Sequence, residues 1–480
     1  MTESFVLFQQ PPFERRIFCN RTLNLRAIKA VGYDMDYTLI HYKVDEWEQR
    51  AYAHLKQKLT ELRWPVKGLT YKRGFAVRGL IIDTELGNIV KADRFGYIKR
   101  ACHGTNILSF DKQKTTYART LVDLSDSRWF FLNTFFSLSE ACMYAQLVDR
   151  LDARHFTDVL GYAELHSKTK QALDEAHAEG LLKREIIEHP ETYVEFDKEV
   201  PLTLLDQKEA GKRLLLITNS DWSYTREIMR CCFDRFLPDD MTWLDLFELV
   251  VVSARKPKFF SMRNPWFEVV NDEGLLKPCI GGPKNRGGIY LGGNARTVEE
   301  YLGLSGSEIL YVGDHLYTDV LLSKDILRWR TALLVRELED ELKAITSCTT
   351  EQQSLNHLMN KKERLEFEQS QVRIQLQRHQ RTYVDKPELN IPALESQLTT
   401  LRQRLESLDT EIGPLADANT RLINPTWGLL MRTGADKSHL ARQIERYADI
   451  YTSRVSNFLH QTPFAYLRAP RGSLPHDPTT

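Results

Sequence analysis

The sequence predicts an α/β fold: a parallel sheet with helices on both faces, an inserted α+β cap, and a C-terminal helical hairpin. Three observations predict it. Five short apolar runs each end in polar or small residues, a long stretch after the first run breaks the strand and helix alternation, and leucines recur at coiled-coil spacing over residues 351–415. At 480 residues the chain also exceeds the usual size of one hydrophobic core, so more than one packed unit is expected.

The apolar runs are residues 30–33, 214–217, 249–252, 309–312 and 331–335. Runs of branched and aliphatic residues this short suit strands buried on both faces, as in a Rossmann-like parallel sheet. The first four lead directly into DMDYTL, TNSD, SARKPK and GDHLYTD. Polar clusters therefore recur where the carboxyl ends of the strands would lie, which is where open α/β sheets bind ligands. Any one cluster could be an ordinary loop; four with complementary chemistry are poorly explained that way.

Between the first and second runs, residues 46–200 read as the cap. Residues 79–104 (GLIIDTELGNIVKADRFGYIKRACHG) are β-rich with turn-forming Leu-Gly-Asn and Phe-Gly-Tyr, which predicts antiparallel hairpins. Residues 137–188 are rich in Ala, Leu, Glu and Lys and predict helices. The sheet domain is then residues 1–45 and 201–350, with 416–480 packing back on it as a helix over 437–459 and an irregular tail. In the hairpin, Leu394, Leu398, Leu401, Leu405, Leu408, Ile412 and Leu415 alternate gaps of four and three, and a weaker seam runs through Leu355, Leu358, Leu365, Val372 and Leu376 before a break at Asp385-Lys386-Pro387. Packing within its own domain and oligomerisation are equally compatible with such a seam.

Composition narrows the partners. Lys plus Arg and Asp plus Glu are 65 each, so no global positive field gathers nucleic acid or a membrane surface. Seven scattered cysteines without a CxxC spacing suggest neither a disulfide framework nor a zinc site, and a reducing cytoplasm fits them. The opening residues carry an acid and prolines where a secretory signal needs a basic start and an apolar core, and no later stretch approaches a membrane span, so a soluble protein is expected.

The chemistry is carried by acids at the run ends. Asp34 and Asp36 are two apart, a spacing that points both side chains to one side of an extended chain. One can attack phosphorus to form an aspartyl-phosphate while the other handles a proton. A DxD pair alone would more often be a turn. Thr218 and Asn219 offer a hydroxyl, an amide and backbone donors, and Lys256 a fixed charge, the donors that phosphoryl transfer needs on the equatorial oxygens. Gly313-Asp314-His315 with Asp319 completes the set. Magnesium takes hard oxygen ligands, so Asp34, Asp314 and a backbone carbonyl of Asp36 would suffice to hold it. Asp319 would orient a metal water or Lys256. His315 reads as packing or an outer hydrogen bond rather than a ligand, and Gly313 as a point of close backbone approach.

The four segments, in this order, resemble the motifs of the haloacid-dehalogenase superfamily. VGYDMDYTLIHY, RGLIIDTELGNIVKAD, FFLNTFFSL, TNSDWSYT, SARKPKFF, IYLGGN, ILYVGDHLYTDV, RYADIYTSRV and the closing LPHD extend the resemblance over nearly the whole chain to the cytosolic purine 5'-nucleotidase family. That resemblance implies a haloacid-dehalogenase core and hydrolysis of inosine and guanosine monophosphates. Asp34 would be nucleophile and Asp36 acid/base, with magnesium on Asp34, Asp36 and Asp314. Phosphate would meet Thr218, Asn219, Ser220, Lys256 and, from the cap, Lys183. It further implies that Lys170, Asp174 and His177 read the nucleotide from one helical face and that Phe136 stacks near the base. A homo-oligomer is the expected assembly. Where the family has an arginine this chain has Lys170, which loses a planar bidentate donor, and Ser137 stands for an asparagine. Gln443, Arg446 and Tyr447 resemble an adenine-nucleotide effector site, but a basic contact of that site falls on Asp123 and the family's acidic tail is missing. Two other readings stay open: a phosphatase or phosphotransferase for another small phosphate ester, because the motifs do not specify a leaving group, and a non-catalytic interaction protein built on the hairpin.

Overall fold

A computed structural model of the chain describes residues 10–159, 161–381, 383, 390–461, 463–470 and 472. All five apolar runs are strands, Ala30–Tyr33, Arg213–Ile217, Leu249–Val252, Ile309–Gly313 and Arg330–Leu334, and all five lie in one 10-stranded sheet. Ile450–Thr452, Arg330–Leu334, Ile309–Gly313, Ala30–Tyr33, Arg213–Ile217, Leu249–Val252 and Gly288–Gly292 are neighbours in that order and pair in parallel. Antiparallel strands finish both edges: Phe18–Cys19 beside Ile450–Thr452, and Trp266–Val269 with Leu276–Cys279 beyond Gly288–Gly292.

Alternate residues of these strands feed two apolar layers. Ala30, Leu215, Ile217, Val251 and Tyr311 pack with Phe259, Phe260, Trp329 and the Ala295–Leu302 helix on one face. On the other, the Tyr33 hydroxyl donates to Gln207 of the Glu199–Glu209 helix at 2.7 Å. Each large side chain so buried contributes roughly 1.5–3 kcal/mol of transfer free energy, and the strands consequently lack a polar face. Gly32 is required by this packing, because a Cβ there would lie 2.8 Å from the Tyr311 ring. Ala30–Tyr33 sits between strands that come later in the chain on both sides, so its carboxyl end is a topological switch point, where such sheets leave a crevice.

The cap begins and ends at a short ladder, His41–Tyr42 paired antiparallel with Val194–Glu195. Its sheet runs Asn106–Ile107, Ile98–His103, Asn88–Ala92, Ile81–Asp83, Trp129–Phe131, antiparallel throughout. Gly87 and Gly96 turn the hairpins with φ of 67° and 91°. The predicted helical part is Leu138–Asp152, Tyr162–Ala178 and Leu181–Glu188, packed with Val44–Glu61.

Residues 340–429 form a separate compact unit. Its helices, Thr349–Arg381 and Ile391–Thr420, reach beyond the predicted 351–415. Gln352 meets Asn419 and Lys362 meets Asp409, which makes the pair antiparallel. Val372, Leu376, Leu394 and Leu401 form its buried seam. The predicted break at 385–387 and the LPHD segment lie outside the described residues.

The helix expected over 437–459 is wrong for half its length. The helix covers His439–Tyr447, then Ile450–Thr452 joins the central sheet and Val455–His460 is a 3-10 turn. Asp449 decides this. Its buried carboxylate accepts from the Thr331 amide at 3.0 Å and pairs with Lys324 and Arg330 at 2.6 and 3.1 Å, which ties the extended chain to the neighbouring strand. Among the described residues no helix is long and apolar enough to cross a membrane, and the seven cysteines are free.

Candidate active site

The polar segments after the four strands meet at one end of the sheet. After Tyr33, the Asp34 amide still donates to Val312 at 2.9 Å, and the chain then closes on itself as the amides of Thr38, Leu39 and Ile40 all donate to the Met35 carbonyl. Tyr37 accommodates this with a left-handed φ of 55°, a conformation that such residues hold only when surrounding structure fixes it. Ser253 and Arg255 do the same before Lys256, with φ of 46° and 59°.

Carboxylate oxygens of Asp34, Asp314 and Asp319 lie within 4.8 Å of one another, all three residues buried. Lys256 Nζ is 2.7 Å from both Asp34 and Asp319 and 3.2 Å from the Tyr311 hydroxyl. Burial pushes the Asp34 carboxyl up, Lys256 opposes it, and the group stands at about 7. Asp314 is held well above the usual carboxylate range by burial first, then by Asp319 and Asp34. Burial pulls the Lys256 ammonium down, but the two acids outweigh it and hold it well above its ordinary value. Like charges crowded in a low-dielectric site disfavour ionisation unless a cation joins them.

The clustered carboxylates are those of Asp34, Asp314 and Asp319, and the backbone carbonyl expected from Asp36 is separate from them. Asp36 does not bring its carboxylate to the other acids: Oδ1 accepts from the Tyr42 hydroxyl at 2.5 Å and Oδ2 from the Ser220 hydroxyl at 2.6 Å. Asp319 takes the third place, and the absent Cβ of Gly313 is what lets it in, since a Cβ there would lie 2.5 Å from Asp319 Oδ2. The donor set fits a hard divalent cation, being all oxygen, and Asp314 Oδ2 is buried without a hydrogen-bond partner. His315 caps the turn over Leu316–Leu321, its Nδ1 accepting from the Tyr317 and Thr318 amides at 3.2 Å; burial lowers its pKa to about 4.

Thr218 is fully buried, and its hydroxyl accepts from the Ser220 amide at 3.0 Å; the cap of the next helix is Asp221 instead. The Asn219 amide clamps the backbone of Lys256, accepting from its N–H at 2.6 Å and donating to its carbonyl at 3.1 Å. From the cap, Lys183 Nζ reaches the Ser220 hydroxyl at 3.0 Å and Asp221 at 3.5 Å. Tyr42 also bonds Tyr224 at 2.8 Å.

These groups open on a cavity of about 920 Å³ whose lining includes Asp34, Asp36, Asn219, Lys256 and Asp314. Its cap wall carries Phe136, Ser137, Lys170, Asp174 and His177. Phe136 packs edge-on against Tyr37, Trp47 and His177. Burial lowers His177 to about 4. Lys170 pairs with Asp174 at 3.5 Å and lies 5.5 Å over the Phe130 ring. Asp123, Gln443, Arg446 and Tyr447 line the same cavity. Tyr42, Tyr311 and Glu140, which also lines it, carry no sequence signal of their own; Tyr42 reaches Tyr224 and Tyr311 reaches Lys256, partners far along the chain.

A model of the 5' nucleotidase family matches residues 17–479. A 5'-nucleotidase domain-containing protein of Dictyostelium discoideum is 26% identical over 481 residues, covering 96% of this chain and 74% of the relative. Among solved structures, an archaeal β-phosphoglucomutase from a hyperthermophilic Pyrococcus matches at a TM-score of 0.32 and 12% identity, over 64% of this chain and 87% of that one. A predicted phosphoglycolate phosphatase from Haemophilus somnus matches at 0.27 and 13%, over 64% and 86%.

Proposed function

The chain belongs to the 5' nucleotidase family of phosphoric monoester hydrolases, and on that premise we propose that it is a magnesium-dependent 5'-nucleotidase acting on purine, chiefly 6-oxopurine, nucleoside monophosphates. The observation that carries the reading is the gathering of the Asp34, Asp314 and Asp319 carboxylates, two of them paired with Lys256, beside a cavity that Asp34, Asp36, Lys256 and Asp314 line. Asp34 Oδ attacks phosphorus as the ester bond to the ribose oxygen breaks, and Asp36 gives that oxygen a proton. In the second half Asp36 takes a proton from water as the water oxygen attacks the aspartyl-phosphate, releasing phosphate and restoring Asp34. Lys256, Thr218, Asn219, Ser220 and Lys183 donate to the phosphoryl oxygens, where charge must be stabilised. Asp319 keeps Lys256 aimed at the reacting centre. Asp34, Asp314 and the Asp36 carbonyl would hold magnesium, whose positive charge offsets the repulsion between the acids and the incoming anion. Tyr42 and Ser220 set the orientation of Asp36.

On the cap wall, Phe136 and His177 offer flat faces to a base, and Lys170 with Asp174 offers a cation for O6 or N7 and a carboxylate for N1–H. The free cysteines support a reducing, cytoplasmic setting, and the half-exposed Leu355, Leu358 and Leu405 of the hairpin support self-association.

The test is phosphate release from a panel of purine and pyrimidine monophosphates and a sugar phosphate, with magnesium and after EDTA. Release from 6-oxopurine monophosphates should require the metal and return when it is restored. Equal rates without metal sink the mechanism, preference for the sugar phosphate moves the substrate to another ester, and no turnover of any ester points to the hairpin as the working part.

A further inference from the structure

Arg78 is a buried cation that the phosphate chemistry above leaves unused. It comes from the start of the cap, just before Ile81–Asp83, and is 3% exposed. Its Nη1 donates to the backbone carbonyl of Asp314 at 3.1 Å and to that of Leu334 at 3.4 Å. Nε donates to Glu337 Oε1 at 2.9 Å, and Nη2 reaches Glu337 Oε2. The guanidinium carbon lies 4.5 Å from the Phe135 ring centroid.

The arrangement is more specific than a surface ion pair. Two nitrogens make the parallel fork to one carboxylate, and the third bridges two carbonyls at the ends of adjacent parallel strands, Ile309–Gly313 and Arg330–Leu334. A lysine could not make this set of contacts from one point charge. Lys256 is bonded to Asp34 and Asp319, whereas Asp314 keeps a buried carboxylate oxygen without a partner. Arg78 grips Asp314 from its backbone side and so fixes the residue without consuming its carboxylate.

We infer that Arg78 is a positioning residue for the cation site, holding the Asp314 backbone so that its free carboxylate faces Asp34. The inference rests on the reading that Asp34 and Asp314 hold a divalent ion. Because Arg78 belongs to the cap and stacks on Phe135, next to the Phe136 that faces the base, it also joins cap placement to the ion site. Loss of a group that orients a metal ligand typically weakens metal affinity about 10–100-fold.

The experiment measures Mn2+ binding to the full chain by the loss of the free-ion electron paramagnetic resonance signal, beside kcat at saturating metal. Arg78→Met should bind Mn2+ about tenfold or more weakly while kcat at saturating metal stays within a few-fold of the parent, and Arg78→Lys should recover only part of the affinity. A purely structural role would lower melting temperature and kcat together and leave affinity unchanged in the folded fraction, which overturns the inference. If Arg78→Met does not fold, Glu337→Gln releases half of the clamp and should still weaken Mn2+ about threefold; unchanged affinity in that variant overturns it too. Asp314→Asn separates the premises. Full affinity in Asp314→Asn, or no binding by the parent, removes the ion from this site and the inference with it, whereas loss in Asp314→Asn but not in Arg78→Met removes Arg78 alone.

Discussion

Lys256 and Lys170 face one cavity from the sheet and from the cap, and they are held in different ways. Lys256 has a side chain 2% exposed, with two carboxylates at 2.7 Å and a tyrosine hydroxyl behind it, and its backbone is clamped by Asn219. Lys170 is 40% exposed and its ion-pair partner, Asp174, is 3.5 Å away and 65% exposed. Fixed dipoles and charges stabilise a transition state only if they need not reorganise, and the proposed phosphoryl end is over-determined in this sense. An exposed pair one helical turn apart contributes little to stability, a few tenths of a kcal/mol, and can change without disturbing the fold. On the proposed function, reaction chemistry and base choice are thus separated, one in the strand ends and one on a helix.

The sharpest way to break this comparison is Asp34→Asn. It should lower kcat by at least about 10³-fold, because a neutral amide cannot form the acyl phosphate, with far-UV circular dichroism unchanged; a rate close to the parent removes the nucleophile from Asp34.

Glu48 tests whether buried acids are costly where no cation meets them. It lies in the Val44–Glu61 helix next to Trp47, which packs on Phe136, and is fully buried, accepting from the Ser139 amide at 2.6 Å with Oε1 unpartnered. Burial raises it to about 8 from 4.5, against the lowering by Ser139. Below about 4.5 the folded and unfolded chains both hold the proton; between there and about 8 only the folded chain keeps it, so stability falls as pH rises across that window and levels off above it. Glu48→Gln should remove this slope, gaining on the order of 3 kcal/mol relative to the parent at pH 8 over pH 4.5. Urea unfolding at the two pH values reads it, and parallel pH dependences in the two proteins refute it.

The smallest effect is expected at Lys170→Arg. A planar fork there should shift the kcat/KM ratio between inosine and adenosine monophosphates about fivefold, roughly 1 kcal/mol, with turnover of a small aryl phosphate unchanged. Equal changes for all substrates would place Lys170 in the chemistry and erase the separation.

Much of the fold was legible because its determinants are local. Strands covered on both faces must be apolar throughout, so all five runs announced themselves, and glycine turns marked the cap hairpins. Ile450–Thr452 was misread because the preceding turns are helical and nothing local ends the pattern; the force that extends it is Asp449 bonding to Thr331 and pairing with Lys324 and Arg330. The antiparallel strand pair Trp266–Val269 and Leu276–Cys279 at the sheet edge has no continuous apolar run, because Glu268, Lys277 and Pro278 interrupt it.

Sequence alone supplied a core inventory: five buried strands, the acids and the lysine that follow them, and the cap that interrupts them, since propensity and periodicity act over a few residues. The tertiary structure decided the pairings. It turned the Asp36 carboxylate to Tyr42 and Ser220, gave Asp319 to Lys256, and brought Arg78 under Asp314. Those contacts join residues from 6 to 236 positions apart, and only the register of a packed sheet fixes distances across such gaps.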